Sequence, residues 1–126
     1  MSVIGLGSDI VEIKRFCDIL ARKQDAFAKR VLTDSELEKY SSTKFSARYL
    51  AKRFAVKEAA SKALGTGIAC GITFHDFEVS NNELGKPIVT FSGIAKQMAD
   101  ARGVNQILLT IADEKCYAVA IVLLQQ

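Results

Sequence analysis

The stretch from Ala47 to Leu64 contains neither Pro nor Gly and consists largely of strong helix formers, so it predicts one long helix. Gly65 follows where a left-handed C-cap belongs, and Gly67 keeps the next turn bare. A spacing of four places Leu50, Phe54, Glu58 and Lys62 on one ridge, flanked by Ala47, Ala51 and Ala55. The row begins apolar and ends in a carboxylate and an ammonium. A chain with such a helix must wrap the rest of its core around it.

A Glu–Lys pair four residues apart is ordinarily a solvated pair that stabilises a helix by about 0.3–0.5 kcal/mol. Glu58 departs from that setting. It is the only acid of the helix, among Arg48, Lys52, Arg53, Lys57 and Lys62. A lone carboxylate among cations, at the edge of an apolar face, suits a ligand for a hard metal held beside bound phosphates.

The chain has 126 residues, the size of one domain spanning 1–126, and its apolar and charged fractions of 49% and 25% are those of a soluble globular protein. No apolar run approaches the ~20 residues of a membrane helix, and the start of the chain lacks a signal-peptide pattern, so a cytoplasmic location is expected. Cys17, Cys70 and Cys116 are widely spaced, which argues against a disulfide framework or zinc site and reads as three buried small residues. His75, the only histidine, reads as structural. Residues 14–30 carry six basic side chains against two acidic ones, and residues 44–62 carry six against Glu58 alone. Two basic blocks on an otherwise acidic chain imply an anionic partner.

In chain order, Val3 to Ile10 predicts a strand whose Gly5 and Gly7 let another backbone or a ligand approach closely. Asp9 falls near its end, where it would commonly be a turn or cap residue; its interest lies in meeting Glu58. The missing third glycine excludes a dinucleotide fingerprint, and no G-K-[ST] phosphate loop occurs. A helix is expected from Val11 to about Arg22, and a short one around Phe27, Val31 and Leu32. Phe16 and Phe27, beside Arg15, Arg22, Lys29 and Arg30, suit either the core or a surface for an acidic amphipathic helix. Thr33-Asp34-Ser35-Glu36 is a capping box opening a third helix, which runs to about Tyr40. Strands are expected at Phe74–Ser80 and 88–91 around a long loop that ends at Pro87, then a helix over 92–102 stopped by Gly103. A closing hairpin over 106–112 and 116–124 ends in a strand apolar from Ala118 to Leu124, so both its faces need cover. The class is α+β, an antiparallel sheet against a long central helix and shorter helices.

The blocks G-L-G-S-D-I-V-E-I at 5–13 and R-F-A-V-K-E-A-A-S-K-A-L-G-T-G at 53–67 resemble the two signatures of bacterial holo-[acyl-carrier-protein] synthases, which are 4′-phosphopantetheinyl transferases. The G-K-P at 85–87, the terminal hairpin and the chain length agree, so the resemblance covers the whole chain. It implies the 4′-phosphopantetheinyl transferase fold and a homotrimer with active sites between subunits. It also implies a Mg²⁺-dependent transfer of phosphopantetheine from coenzyme A to a serine of an apo acyl carrier protein, in support of fatty acid biosynthesis. The other product is adenosine 3′,5′-bisphosphate. Carried over residue by residue, Asp9 and Glu58 would hold the metal and Lys62 would touch a phosphate oxygen. Lys44, Arg53, Gly65, Thr66, Gly67 and Pro87 would contact the rest of coenzyme A. The serine proton would go to Glu58 or to a metal-bound water. Arg15, Phe16, Arg22, Phe27 and Arg30 would dock the acidic carrier protein. Two departures stand out. Val11 occupies the place where larger members of the superfamily carry a second carboxylate, and Asp113 stands where some short members have a histidine.

A rival reading is a non-enzymatic module that captures an acidic protein or a nucleic acid on its basic helices. Few aromatics lie near the cations and no recognition motif occurs, which argues against nucleic acid. Divalent metal discriminates the two readings, since a purely electrostatic module binds equally well in EDTA.

Overall fold

The computed structural model describes residues 2–23 and 25–126. A first strand, β1 (Val3–Glu12), leads into three helices, α1 (Ile13–Lys23), α2 (Asp25–Val31) and α3 (Asp34–Ser42), and then the long helix α4 (Ser46–Leu64). A 3-10 turn (Phe74–Asp76) precedes the hairpin β2 (Phe77–Asn81) and β3 (Pro87–Phe91). Helix α5 (Gly93–Ala101) and the hairpin β4 (Gln106–Asp113) and β5 (Tyr117–Gln125) close the chain. The strands form two antiparallel sheets, β1-β5-β4 and β2-β3, so the expected class is the observed one.

Helix α4 runs through the middle of the molecule. Leu50, Ala51, Ala55, Val56, Ala59 and Ala60 are fully buried, and the solvent-facing strip narrows to Arg48, Lys52, Glu58 and Lys62. The helix ends at Gly65, whose φ of 85° needs a residue without a Cβ and whose N–H donates to Ser61 and Lys62 carbonyls. Arg102 also donates to the Leu64 carbonyl, adding a cation at the negative end of the helix.

Gly5 and Gly7 supply the close approach expected of them, and the approaching element is α4. A Cβ on Gly7 would lie 2.0 Å from the Ala59 carbonyl oxygen, and one on Gly5 2.0 Å from that of Ala63. Strand alternation then fixes the next position on that face. Asp9, two residues beyond Gly7, points towards α4, as do its register partner Ala120 and the buried Ala118, Val122 and Leu124 of β5. Strand β1 continues two residues further than expected, because Val11 and Glu12 still pair with β5 and the Ile13 N–H donates to the Cys116 carbonyl.

Phe16, Phe27, Phe54 and Phe74 form a continuous aromatic cluster centred on Phe54, with Phe16 fully buried. Thr33 caps α3 through the reciprocal bonds of a capping box with Glu36. His75 is structural as expected, its Nε2–H donating to the Lys29 carbonyl at 2.9 Å. The cysteines overturn their expectation. All three are free and exposed: Cys17 on the outer side of α1, Cys70 in the loop after α4, and Cys116 at the β4–β5 turn. Residue type favours burial, but these positions lie outside the packed faces.

Candidate active site

Four charged side chains from three elements converge at the edge of α4. Lys62, one turn after Glu58, extends to β1, where its Nζ donates to Asp9 Oδ1 at 3.0 Å and to the Ser8 carbonyl at 3.1 Å. The Asp9 side chain is 15% exposed, and its second oxygen, Oδ2, is buried with no hydrogen-bond partner among the described residues. Burial raises the Glu58 carboxyl above the ordinary carboxylate range and the charge of Asp9 raises it further, while Lys62 and Arg15 oppose the shift. Asp9 and Glu58 thus feel each other's charge across the gap between strand and helix. A cleft of about 310 Å³ lined by Ser8, Asp9, Ile10, Lys62 and Val119 opens at this point.

An unpaired buried carboxylate oxygen beside a second, charge-disfavoured carboxyl is a donor set that a hard divalent cation would satisfy. The described residues contain no group of three or more His, Cys, Asp or Glu side chains poised for a metal. Two carboxylates leave most of an octahedral shell to waters and substrate phosphates, which suits Mg²⁺. The residues therefore fit the implied ion, and Asp9 and Glu58 are the side chains that would hold it.

The other expected contacts fall in different places. Arg53 is 6% exposed, its guanidinium lying 4.3 Å over the Tyr49 ring, with Nη2 3.5 Å from Asn81 Oδ1 and a buried Nε that has no partner. Asn81 is the register partner of Pro87, so Arg53 and Pro87 share one region, with a cavity of about 230 Å³ that Tyr49, Arg53, Glu78 and Asn81 help to line. At about 100° per residue, Arg53 projects roughly 140° around α4 from Glu58. No hydrogen bond or ion pair among the described residues joins Lys44, Arg53 or Pro87 to Asp9, Glu58 or Lys62. The N–H groups of Gly65, Thr66 and Gly67 are engaged with the Ser61 and Lys62 carbonyls, so this loop offers open surface rather than free amide donors.

Among the expected docking residues, Arg15, Arg22 and Arg30 are exposed along α1 and α2. Phe16 is not on that surface: it is core, and Phe27 is half-buried against it and against Phe54. Arg15 lies 5.5 Å over the Phe16 ring and 5.4 Å over Phe54, which puts its charge within reach of Glu58. The Arg15 end of the expected docking face therefore adjoins Glu58.

The second basic block is largely neutralised within the chain, contrary to its expected role. Arg48 pairs with Asp113 at 2.9 Å and also holds the Glu114 and Lys115 carbonyls, and Lys52 reaches Asp113 at 4.0 Å. Lys57 is fully buried, with its Nζ 2.6 Å from Glu36 Oε1 and 2.7 Å from the Val31 carbonyl. From the sequence Lys57 reads as one more cation of the basic block and Glu36 as a cap alone. The available signal was position: three residues after Phe54 and three before Ala60, Lys57 sits on the apolar face, where a cation requires a buried partner.

The model of the 4′-phosphopantetheinyl transferase superfamily matches residues 5–122. The chain is 61% identical to a holo-[acyl-carrier-protein] synthase of Photobacterium profundum, over 99% of each chain. Its fold is similar to the crystal structure of holo-[acyl-carrier-protein] synthase from Neisseria meningitidis, with a TM-score of 0.92 and 34% identity, covering 99% of this chain and 100% of that one. It is also similar to the Helicobacter pylori holo-[acyl-carrier-protein] synthase in complex with coenzyme A, with a TM-score of 0.83, 30% identity, and coverage of 95% and 99%.

Proposed function

The chain belongs to the 4′-phosphopantetheinyl transferase superfamily, and from that footing we propose that it is a holo-[acyl-carrier-protein] synthase. It transfers the 4′-phosphopantetheine of coenzyme A to a serine of an apo acyl carrier protein and releases adenosine 3′,5′-bisphosphate. The observation that carries the site assignment is the buried, unpartnered Oδ2 of Asp9 beside the charge-disfavoured carboxyl of Glu58.

Asp9 and Glu58 would hold the divalent cation, Mg²⁺, whose charge would offset that of the coenzyme A pyrophosphate and of the leaving bisphosphate. Lys62, whose exposed side chain is free to turn from Asp9, contacts a phosphate oxygen of the substrate. The serine oxygen forms the new bond to phosphorus, the bond to the bisphosphate breaks, and Glu58 takes the serine proton. Arg15, Arg22 and Arg30 receive the acidic carrier beside the site.

Coenzyme A is long enough to need both groups of residues that one chain keeps apart, the Asp9–Glu58–Lys62 cluster and the Arg53–Pro87 region. Association of three copies through the open face of the β1-β5-β4 sheet completes the site from neighbouring subunits. That face exposes Leu6 and Ile10, each 63% accessible, and Ile121, so cover by another copy is favourable. Work in the cytoplasm in fatty acid biosynthesis goes with this reading. Among the described residues no helix is long and apolar enough to cross a membrane.

Incubation with coenzyme A, Mg²⁺ and an apo carrier protein tests the proposal. The carrier is expected to gain one phosphopantetheine in mass, and EDTA or Glu58→Gln is expected to prevent the gain. An unmodified carrier under full conditions would refute the activity.

A further inference from the structure

We propose that the buried Glu36–Lys57 ion pair is a positioning device for Glu58, holding α4 at the roll that aims this carboxylate at Asp9. The inference rests on Glu58 being a metal ligand, as argued above.

Beside Glu58 the contact between α4 and β1 is backbone against backbone, with Gly5 and Gly7 set against Ala59 and Ala63. The buried Val122 and Leu124 of β5 face the helix from the same sheet. Lys57 ties the helix down from a different face, one residue before Glu58. Its Nζ donates to Glu36 Oε1 at 2.6 Å and to the Val31 carbonyl at 2.7 Å, with the whole residue shielded from solvent.

Glu36 is itself immobilised. Its Oε1 also accepts from the Thr33 N–H at 2.9 Å, and Oε2 accepts from the Val79 N–H at 2.7 Å. The ion pair therefore ties the end of α2, the start of α3, strand β2 and α4 together. Desolvating a full ion pair is costly, and apolar residues of similar volume commonly stabilise a core at least as well. What the charge pair adds is directionality. Its short, oriented hydrogen bonds fix one rotation of α4, which an apolar contact would leave free to drift. A drift of about 1 Å at a reacting group costs up to about 100-fold in rate.

Two variants read this out. In Glu36→Gln/Lys57→Met both charges are removed at similar volume. In Glu36→Asp the pair is kept but shortened by one methylene. Mn²⁺, added alone, is titrated by electron paramagnetic resonance against the wild-type protein, Glu58→Gln and both variants, alongside circular-dichroism melts and turnover with a carrier protein. Both variants are expected to melt cooperatively, to bind Mn²⁺ about tenfold or more weakly than wild type, and to lose kcat with little change in KM for the carrier. Wild-type Mn²⁺ affinity and kcat in a folded variant would overturn the inference and make the pair merely structural. Loss of folding in both variants would also overturn it, since the pair would then be needed for the fold itself. If Glu58→Gln binds Mn²⁺ as wild type does, the metal-ligand reading fails first, so the two failures are distinguishable.

Discussion

Glu58 is strained electrostatically in the metal-free protein, and that strain is measurable. Its carboxyl is raised by burial and by Asp9, so the folded state binds this proton more tightly than the unfolded state does. The stability contributed by the protonated form is fully present below the ordinary carboxylate range and is lost as pH rises through the raised folded value. Between about pH 4 and neutrality the Tm of wild type in EDTA is therefore expected to decline relative to Glu58→Gln. The amide variant should melt higher at neutral pH while transferring nothing, as expected of a site whose ligands are held against their preference. Parallel pH profiles for the two proteins would contradict the assignment. Lys57 behaves in the opposite sense. Lys57→Met alone leaves Glu36 charged and uncompensated in the core and is expected to cost about 3–5 kcal/mol in urea unfolding. A loss under about 1 kcal/mol would show that the pair is not the buried contact seen here. The carboxylates were legible as residues because Glu58 breaks the charge pattern of its helix and Asp9 follows two glycines. The Glu36–Lys57 partnership was not, because its members lie 21 residues apart and meet only through packing.

At the scale of elements, the site exists because a strand and a helix come closer than side chains allow. Gly7→Ala would drive a Cβ into the Ala59 carbonyl and push α4 outward, beyond what a flexible neighbour could absorb. Its expected cost is about 1–3 kcal/mol, with a loss of transfer larger than that destabilisation explains. Chemical denaturation and turnover on the same preparation check it; full activity with lowered stability would separate the glycine from the site. The elements themselves were readable: the long helix with its Gly65 cap, the Thr33 capping box and the closing hairpin all follow from local chemistry. Three features depended on tertiary context instead. Four of the six cations of the second basic block pair with Asp113, Asp9 and Glu36, the cysteines fall outside the packed faces, and Phe16 belongs to the aromatic core. The electrostatic-capture reading relied on two basic faces and retains only the one on α1 and α2.

At the scale of the whole molecule, one face of the β1-β5-β4 sheet is apolar and open. Strand β5 is apolar on both sides: α4 covers Ala118, Ala120, Val122 and Leu124, while Ile121, with Leu6 and Leu108 on the same face of the sheet, remains open to solvent. The sequence disclosed the need for two covers but not the identity of the second. Leu6→Lys combined with Ile121→Lys is expected to give a folded monomer by light scattering that transfers poorly, because the Arg53–Pro87 region of a neighbour no longer reaches the carboxylates. Undiminished turnover by that monomer would show that one chain suffices. Whether Asp9 and Glu58 share one divalent ion is tested most sharply by a crystal soaked with coenzyme A and Mn²⁺. The expected result is a single anomalous peak within bonding distance of both carboxylates and of the pyrophosphate; a Mn²⁺ held by phosphate alone, or seated away from these two side chains, would contradict it.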